Sequence, residues 1–154
     1  MLDQFETEIA DLNLTDGANG LTAQQIVTMA SLIERESSVE SERSTIASVI
    51  YNRLDEGMPL QIDAAIVYAR GGGSGTVTYD DLEIDSPYNV YQNPGLTPGP
   101  ICSPSVSSIQ AAINPDDTNY LYYVLSSAGD GSHKFSETYD EFQANVQEYR
   151  DSQS

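Results

Sequence analysis

Residues 22–37 read TAQQIVTMASLIERES, and this stretch decides the fold. Thr22 and Gln25 have the spacing of a capping box, in which each side chain satisfies a backbone N–H that the first helical turn leaves free. Apolar side chains then recur at i, i+3, i+4 and i+7, which predicts a helix with one buried face. Those side chains are Ile26, Met29, Ala30 and Ile33.

The predicted helix ends in two glutamates, Glu34 and Glu36, which are the best candidates for chemistry. At roughly 100° per residue they fall on opposite flanks of the apolar stripe. Glu36 lies one and two turns after Leu32 and Met29, so its carboxyl is expected against apolar side chains, which raise a carboxyl pKa. An acid still protonated near neutral pH can donate a proton to a leaving oxygen. The alternative is an ordinary solvated helix end.

The charge of the chain excludes several classes of partner. Its 154 residues suffice for one domain with a hydrophobic core. It has 24 acidic and 6 basic residues, which give a formal net charge of −18. Such a surface repels phosphate backbones and anionic lipid headgroups, so we expect no nucleic-acid or electrostatic membrane binding. A carbohydrate is compatible with this charge, and ten tyrosines can contact sugars.

Neither a metal ion nor a cofactor is expected. The only cysteine, Cys102, cannot form an internal disulfide or a multi-cysteine metal site. No Asp-x-Asp-x-Asp-Gly run of the calcium-binding kind occurs, and the Gly-rich residues 71–77 do not match a phosphate-binding loop. No apolar run approaches the ~18 residues of a membrane span, and no signal peptide is visible, so any membrane segment is expected outside this chain.

Spacing and capping signals predict more helices around the main one. Residues 2–12 have apolar side chains at helical spacing, and Ser37 with Glu40 forms a possible second capping box. That box leads into a helix that ends at Gly57. Three later helices are predicted: one that Asp63 caps, one that starts at Ser103-Pro104 and ends before Pro115, and one that Thr138 and Glu141 cap.

Short strands complete the predicted fold. Leu60-Gln61-Ile62 has the pattern of a strand. Residues 120–125 are predicted to form a hairpin with Lys134-Phe135-Ser136. We therefore expect one α+β domain, with helices packed around a small antiparallel sheet and a catalytic glutamate at the end of a buried helix. Residues 86–104 are dense in Pro, Gly, Tyr and Asn, and so long an irregular segment predicts a binding loop or the wall of a substrate groove.

Several of these segments together resemble one family of proteins. The helix end Ile33–Ser37 is followed, in the family's order, by matching segments at 41–43, 47–54, 57–63, 86–91, 95–101, 114–115, 120–122 and 133–136. The chain is similar to the MltG (YceG-like) endolytic murein transglycosylases over roughly residues 21–150. The order of so many separate motifs makes the resemblance specific.

The resemblance implies an activity. The family cleaves the β-1,4 bond between N-acetylmuramic acid and N-acetylglucosamine in peptidoglycan and leaves a 1,6-anhydro end without hydrolysis. By motif position its catalytic glutamate falls on Glu36. The implied organisation is a helix and turn in residues 1–20, the catalytic domain in residues 21–150 and a tail in residues 151–154.

The resemblance also implies a location and partners. The family acts outside the cytoplasmic membrane on growing glycan strands and is usually anchored by an N-terminal transmembrane helix. We therefore expect peptidoglycan strands as the substrate, cell-wall synthases as candidate partners, and a membrane anchor outside this chain.

One glutamate is enough for this chemistry. Hydrolytic glycosidases normally need two carboxyl groups. In a transglycosylase of this kind the nucleophile is the 6-hydroxyl of the muramic sugar itself. A single carboxylic acid can therefore protonate the glycosidic oxygen and then, as a carboxylate, take the proton of that hydroxyl.

Polar side chains in the loops are candidates for holding the sugar. They are Gln61, Asp63, Ser86, Tyr88, Asn89, Tyr91 and His133. We expect Asn89 and Tyr91 to line the same cleft as Glu36. Structural roles are the alternative: Asp63 as a helix N-cap, Pro87-Tyr88-Asn89 as a turn with a packed tyrosine, and His133 as a strand residue.

Rival functions stay open at this stage. The domain could bind peptidoglycan without cleaving it, or it could be a hydrolytic muramidase with Asp63 as its second carboxylate. A serine hydrolase built on His133 is a weaker rival, because Gly72-Gly73-Ser74-Gly75-Thr76 departs from the Gly-x-Ser-x-Gly pattern and follows no predicted strand. Arg53, on the buried side of its helix, is expected to pair with a carboxylate.

Overall fold

The structure, a computed structural model, describes residues 17–73 and 75–153. Within these residues the fold is α+β, as predicted, with helices around a two-stranded antiparallel sheet. The helix predicted over residues 2–12 lies outside the described residues. None of the described helices is long and apolar enough to cross a membrane. The elements are α1 (Ala23–Glu36), α2 (Arg43–Glu56), α3 (Asp63–Ala69), α4 (Val106–Ile113), β1 (Tyr122–Leu125), β2 (His133–Ser136) and α5 (Tyr139–Ser152).

Helix α1 forms the centre of the core. Both bonds of the predicted capping box are present: the Thr22 hydroxyl accepts from the backbone N–H of Gln25, and the Gln25 side chain accepts from the backbone N–H of Thr22. The predicted apolar stripe is fully buried against α2 and α4. Ser31, also fully buried, accepts a hydrogen bond of 3.1 Å from the backbone N–H of Ile101 and so fixes that loop to the helix.

The turn between α1 and α2 differs from the prediction. The second capping box, Ser37 with Glu40, is wrong. The Ser37 hydroxyl instead donates to the Ile33 carbonyl and accepts from Arg43 Nε, so it extends the end of α1. A 3-10 turn at Glu40–Glu42 follows and leads directly into α2. Helix α2 ends as predicted, with Gly57 in the left-handed conformation at φ 70°.

The segment after α2 is not a strand. Gln61 has φ 54°, a left-handed conformation that an extended strand excludes, and its backbone N–H donates to the Val90 carbonyl. Asp63 is not the cap of α3: Ile62 is the N-cap, and Asp63 is the first helical residue. Its side chain is therefore available for other contacts. Helix α4 likewise begins later than predicted, because the Ser105 hydroxyl caps it.

The hairpin and the last helix agree with the prediction. Strands β1 and β2 pair antiparallel, with Tyr123 opposite Phe135. Thr138 caps α5 by accepting from the backbone N–H of Glu141. The Phe142 ring of α5 stacks on Tyr122 at 5.2 Å between ring centroids, so α5 is held against the sheet by aromatic contacts.

Two polar side chains of α2 hold the chain that leads into β1. The Asn52 amide donates to the carbonyls of Thr118 and Tyr120, both at 2.9 Å. The neighbouring Arg53 donates through Nε to the Leu121 carbonyl at 2.7 Å. These bonds attach the sheet to the helical core.

We predict that Asn52→Ala lowers the free energy of unfolding by about 1–3 kcal/mol, because two part-buried carbonyls lose their donor. Urea unfolding measures this change. Asp55→Ala, at an exposed position of the same helix, is the control and should change the stability by no more than about 0.5 kcal/mol. Equal stability of the two variants would show that the amide does not hold the sheet.

Candidate active site

A cavity of about 250 Å³ lies beside the C-terminal end of α1. Glu36 of α1 and Asp63 at the start of α3 bring carboxyl groups to it. Tyr91 and Tyr123 add phenol groups, and Arg53 of α2 adds a cation. Apolar side chains complete the lining, namely those of Val49, Ile50, Leu60, Ile62 and Phe142. The cavity therefore combines ionisable groups with apolar surroundings, as catalytic sites commonly do.

The position of the Glu36 carboxyl in the cavity shifts its pKa. Burial raises its pKa above the ordinary carboxyl value, and the negative charge of Asp63 raises it further. The Tyr123 hydroxyl donates a hydrogen bond of 2.6 Å to Oε1 of Glu36, which opposes the rise because it stabilises the carboxylate. Burial has the larger effect, so the pKa of Glu36 lies above its ordinary value.

Asp63 and Tyr91 form a second pair in the same cavity. The Tyr91 hydroxyl donates a hydrogen bond of 2.5 Å to Oδ1 of Asp63. Burial and the Asp63 carboxylate raise the Tyr91 pKa well above its ordinary value, so the phenol keeps its proton and remains a donor. The cavity thus contains two carboxyl groups, each held by a tyrosine.

Arg53 does not pair with a carboxylate, and that prediction is wrong. Its guanidinium donates to the backbone carbonyls of Leu121, Pro59 and Leu60 and lies 5.2 Å from the centroid of the Tyr122 ring. The ion pairs within residues 17–73 and 75–153 do not include it. The carbonyls satisfy the donors without neutralising the charge, so Arg53 brings a positive charge to the cavity wall.

His133 lies behind the cavity rather than in its lining. Its backbone N–H donates to the Glu42 carboxylate, and its Nδ1 lies 3.0 Å from Oε1 of the same group. The His133 ring stands edge-on to Tyr123, with centroids 5.3 Å apart. This packing fixes the ring whose hydroxyl reaches Glu36. In the described part of the chain, no cluster of His, Cys, Asp or Glu side chains could hold a metal ion.

The predicted residues of the 86–91 segment separate into two groups. Tyr91 lines the cavity with Glu36, but Asn89 does not. Asn89 is fully buried, its amide donates to the carbonyls of Leu82 and Ile84, and its oxygen accepts from the Tyr91 backbone N–H. Such a side chain has no group left for a sugar, so we propose that Asn89 positions Tyr91.

Ser86 and Tyr88 also lie outside the cavity lining. The Ser86 hydroxyl accepts from the backbone N–H of Tyr88, as in a turn. The Tyr88 ring packs on Tyr68, with centroids 4.8 Å apart. The geometry of both residues fits the structural alternative, a turn with a packed tyrosine. Gln61, by contrast, lines the cavity as the sequence predicts.

Comparison with known proteins identifies the family. A sequence model of the YceG-like family matches residues 1–148. A Bacillus subtilis protein named endolytic murein transglycosylase is 52% identical over 112 residues, which cover 73% of this chain and 31% of that protein. A Streptococcus pneumoniae protein of the same name is 38% identical, over 97% of this chain and 28% of its own length. This chain belongs to the YceG-like family.

A solved structure agrees with this assignment. The crystal structure of a YceG-like protein from Listeria monocytogenes, 38% identical, superposes with a TM-score of 0.76 and covers 93% of this chain and 44% of its own. The chain spans under a third of the length of the curated relatives. The family match and this superposition confirm the family resemblance inferred from the ordered motifs.

Glu34 differs from Glu36 although both lie in the last turn of α1 of this YceG-like domain. Burial alone would raise the Glu34 pKa. Hydrogen bonds from the backbone N–H of Ser105 (2.8 Å) and the Ser108 hydroxyl (2.9 Å), with the charge of Arg43, outweigh burial and lower it. Glu34 is therefore an ionised contact to the start of α4.

Sequence reasoning missed one functional contact, the bond from Tyr123 to Glu36. The alternation of a strand was the available signal. In the run Tyr120–Leu125, neighbouring side chains point to opposite faces, so Tyr122 and Tyr123 cannot have the same role. Tyr122 stacks on α5, whereas Tyr123 faces the cavity.

We predict that Glu36→Gln stabilises the fold relative to the wild type, and more so as the pH rises. A folded pKa above the unfolded value contributes stability that is fully present below the unfolded pKa and is lost as the pH rises through the folded pKa. The glutamine variant has no such loss. Urea unfolding from about pH 5 to about pH 8 measures the growing difference in unfolding free energy.

Glu34→Gln is the matched control, because its pKa shift has the opposite sign. A lowered folded pKa contributes stability above the unfolded pKa, and that stability is lost as the pH falls through the folded pKa. Glu34→Gln should therefore destabilise the protein at neutral pH, and the deficit should shrink on acidification. If, at neutral pH, both variants differed from the wild type in unfolding free energy with the same sign, the environments assigned to Glu34 and Glu36 would be refuted.

Proposed function

We propose that this domain is the catalytic part of an endolytic peptidoglycan lytic transglycosylase. It would cleave the β-1,4 bond between N-acetylmuramic acid and N-acetylglucosamine and leave a 1,6-anhydro end. The observation that carries the proposal is the buried Glu36 carboxyl, whose raised pKa suits a general acid. Relatives named endolytic murein transglycosylase supply the substrate class.

In the first step Glu36 acts as the acid. Because Oε1 accepts the bond from Tyr123, the protonated carboxyl carries its proton on Oε2. That proton passes to the glycosidic oxygen, the bond from this oxygen to C1 of the muramic sugar breaks, and N-acetylglucosamine leaves with a free 4-hydroxyl. The Tyr123 hydroxyl then stabilises the carboxylate that remains.

In the second step the same carboxylate acts as the base. It takes the proton of the muramic 6-hydroxyl, whose oxygen bonds to C1 and closes the anhydro ring. Glu36 regains its proton, and no water is consumed. Between the steps the sugar has oxocarbenium character, and the Asp63 carboxylate of the same cavity would stabilise that positive charge.

A hydrolytic muramidase is the second candidate, and a specific observation favours it. Asp63 lines the cavity with Glu36, so the cavity contains the two carboxyl groups that a hydrolase needs. Against it, one oxygen of Asp63 already accepts the Tyr91 hydroxyl. We therefore assign Asp63 to charge stabilisation rather than to the activation of water. A domain that only binds peptidoglycan would not require a buried, protonated carboxyl, which counts against that alternative.

The proposed substrate sets the location. Peptidoglycan lies outside the cytoplasmic membrane, so we propose that the protein acts there on glycan strands. An N-terminal membrane anchor and association with cell-wall synthases are part of the same proposal. Tagging the full-length protein and extracting it from membrane fractions would test the anchor.

We predict that Glu36→Gln lowers turnover by at least about 10²–10⁴-fold, the usual contribution of a general acid. Glu34→Gln, the same change two residues away, should reduce turnover much less, since Glu34 contacts α4 rather than the cavity. Mass spectrometry of muropeptides released from intact sacculi measures both. If Glu36→Gln had the same turnover as the wild type, the assignment of Glu36 as the general acid would be refuted.

We predict that digestion in ¹⁸O-labelled water yields anhydro-muramic ends without label. Asp63→Asn should slow the reaction, because the oxocarbenium loses its countercharge, but should not change the product. Mass spectrometry of the products distinguishes the candidates. If the wild type instead produced reducing ends that contain ¹⁸O, and Asp63→Asn did not produce them, the protein would be a muramidase.

A further inference from the structure

A second depression, of about 500 Å³, lies next to the catalytic cavity. The two share Asp63 and Tyr91 as a common wall. The far side of the depression is formed by Val77, Thr78, Tyr79 and Leu82. Its volume falls within the roughly 300–1,000 Å³ typical of ligand sites. The catalytic cavity and the depression are therefore adjacent, and the Asp63–Tyr91 pair lies between them.

The Tyr79 ring is the most exposed large hydrophobic side chain of the described residues. It is 89% exposed, whereas the others reach at most 56%. A single exposed aromatic residue is common on protein surfaces and indicates nothing by itself. Here the exposed ring also borders a depression that shares Asp63 and Tyr91 with the catalytic cavity, which places the ring beside the proposed glycan site.

The backbone that presents Tyr79 is firmly held. The Asp81 carboxylate accepts from the backbone N–H of Thr78 at 3.0 Å, and the Thr78 hydroxyl accepts from the backbone N–H of Asp81 at 3.2 Å. Arg70 forms an ion pair of 2.9 Å with Asp81 and donates to the carbonyls of Gly75 and Thr76. The ring is therefore presented from a fixed backbone, which reduces the entropy lost when a ligand binds.

We propose that this second section is a further saccharide subsite of the glycan groove, in which the Tyr79 ring stacks on an N-acetylhexosamine ring of the same strand. This inference rests on the proposed function for the identity of the strand. It extends the groove from the bond that is cleaved to at least one more sugar ring on the side of Asp63 and Tyr91.

The chemistry of the section favours a neutral sugar. The C–H face of a pyranose ring packs on a tyrosine face, and the hydroxyl and acetamido groups at its edge can hydrogen-bond to Thr78 and Asp63. The carboxylate of Asp63 and the exposed Asp80 beside Tyr79 disfavour an anionic group at this place. We therefore assign the subsite to N-acetylglucosamine rather than to an acidic sugar.

Binding of β-1,4-linked N-acetylglucosamine oligomers tests the subsite. Glu36→Gln is used as the parent, so that no turnover occurs, and calorimetry measures the affinity of a disaccharide and a hexasaccharide. Tyr79→Ala in this parent should weaken hexasaccharide binding by about 5–10-fold, since an aromatic stacking contact is worth roughly one decade of affinity. Tyr79→Phe keeps the ring and should bind as the parent does.

Glu83→Gln, at an exposed position of the same turn that does not line the depression, is the matched control and should leave binding of this neutral oligomer unchanged. Hexasaccharide affinity that is equal in the parent and in Tyr79→Ala would overturn the subsite, as would absence of binding to the parent. The proposed function fails separately. If hexasaccharide binding depends on Tyr79 but the wild type releases no anhydro products, the transglycosylase is refuted and the subsite stands. If the wild type releases anhydro products but hexasaccharide binding does not depend on Tyr79, only the subsite is refuted.

Discussion

The hydrogen bond from Tyr123 to Glu36 is the contact on which the active-site geometry depends. It joins the end of the buried helix α1 to strand β1, two elements 87 residues apart in the chain. It forms only because Asn52 and Arg53 of α2 hold the chain that leads into β1, and because His133 supports the Tyr123 ring. A general acid that must also act as a base needs both of its forms to be accessible. Burial favours the protonated form of Glu36, and the hydrogen bond from Tyr123 stabilises its carboxylate form.

Two glutamates two residues apart on one helix show how surroundings rather than residue type assign a role. Glu34 meets the start of α4, where a backbone N–H, a hydroxyl and Arg43 stabilise its charge. Glu36 meets an aromatic strand, apolar side chains and a second carboxylate, and its charged form is favoured by the hydrogen bond from Tyr123 and by the nearby His133. The helical angle between the two positions separates these environments, so the fold produces a salt-bridged contact and a buried carboxyl of raised pKa from the same amino acid.

The sequence was sufficient for features set by neighbours in the chain. The capping box of α1, the Thr138 cap of α5, the apolar stripe and the hairpin all depend on spacings of two to four residues, and all were predicted correctly. It was insufficient where distant groups decide. The left-handed Gln61 is held by Val90, and the amide of Asn89 is consumed by the backbone of Leu82 and Ile84. Asparagine in a Pro-Tyr-Asn turn has the same local pattern whether it faces a sugar or a carbonyl. The resemblance to the family made Glu36 the candidate acid, but only the folded chain brings Tyr123 beside it.

The position of Arg53 has a consequence for the whole reaction. The chain has a formal net charge of −18, yet the cavity with Glu36 protonated holds one cation, Arg53, and one anion, Asp63. It is therefore locally neutral when a neutral sugar enters. In the proposed reaction, the cavity becomes negative by one charge when Glu36 gives up its proton, at the moment when the sugar becomes positive by one. The pocket and its substrate would together remain electroneutral at each stage, so the reaction would not require a counterion to enter the cavity.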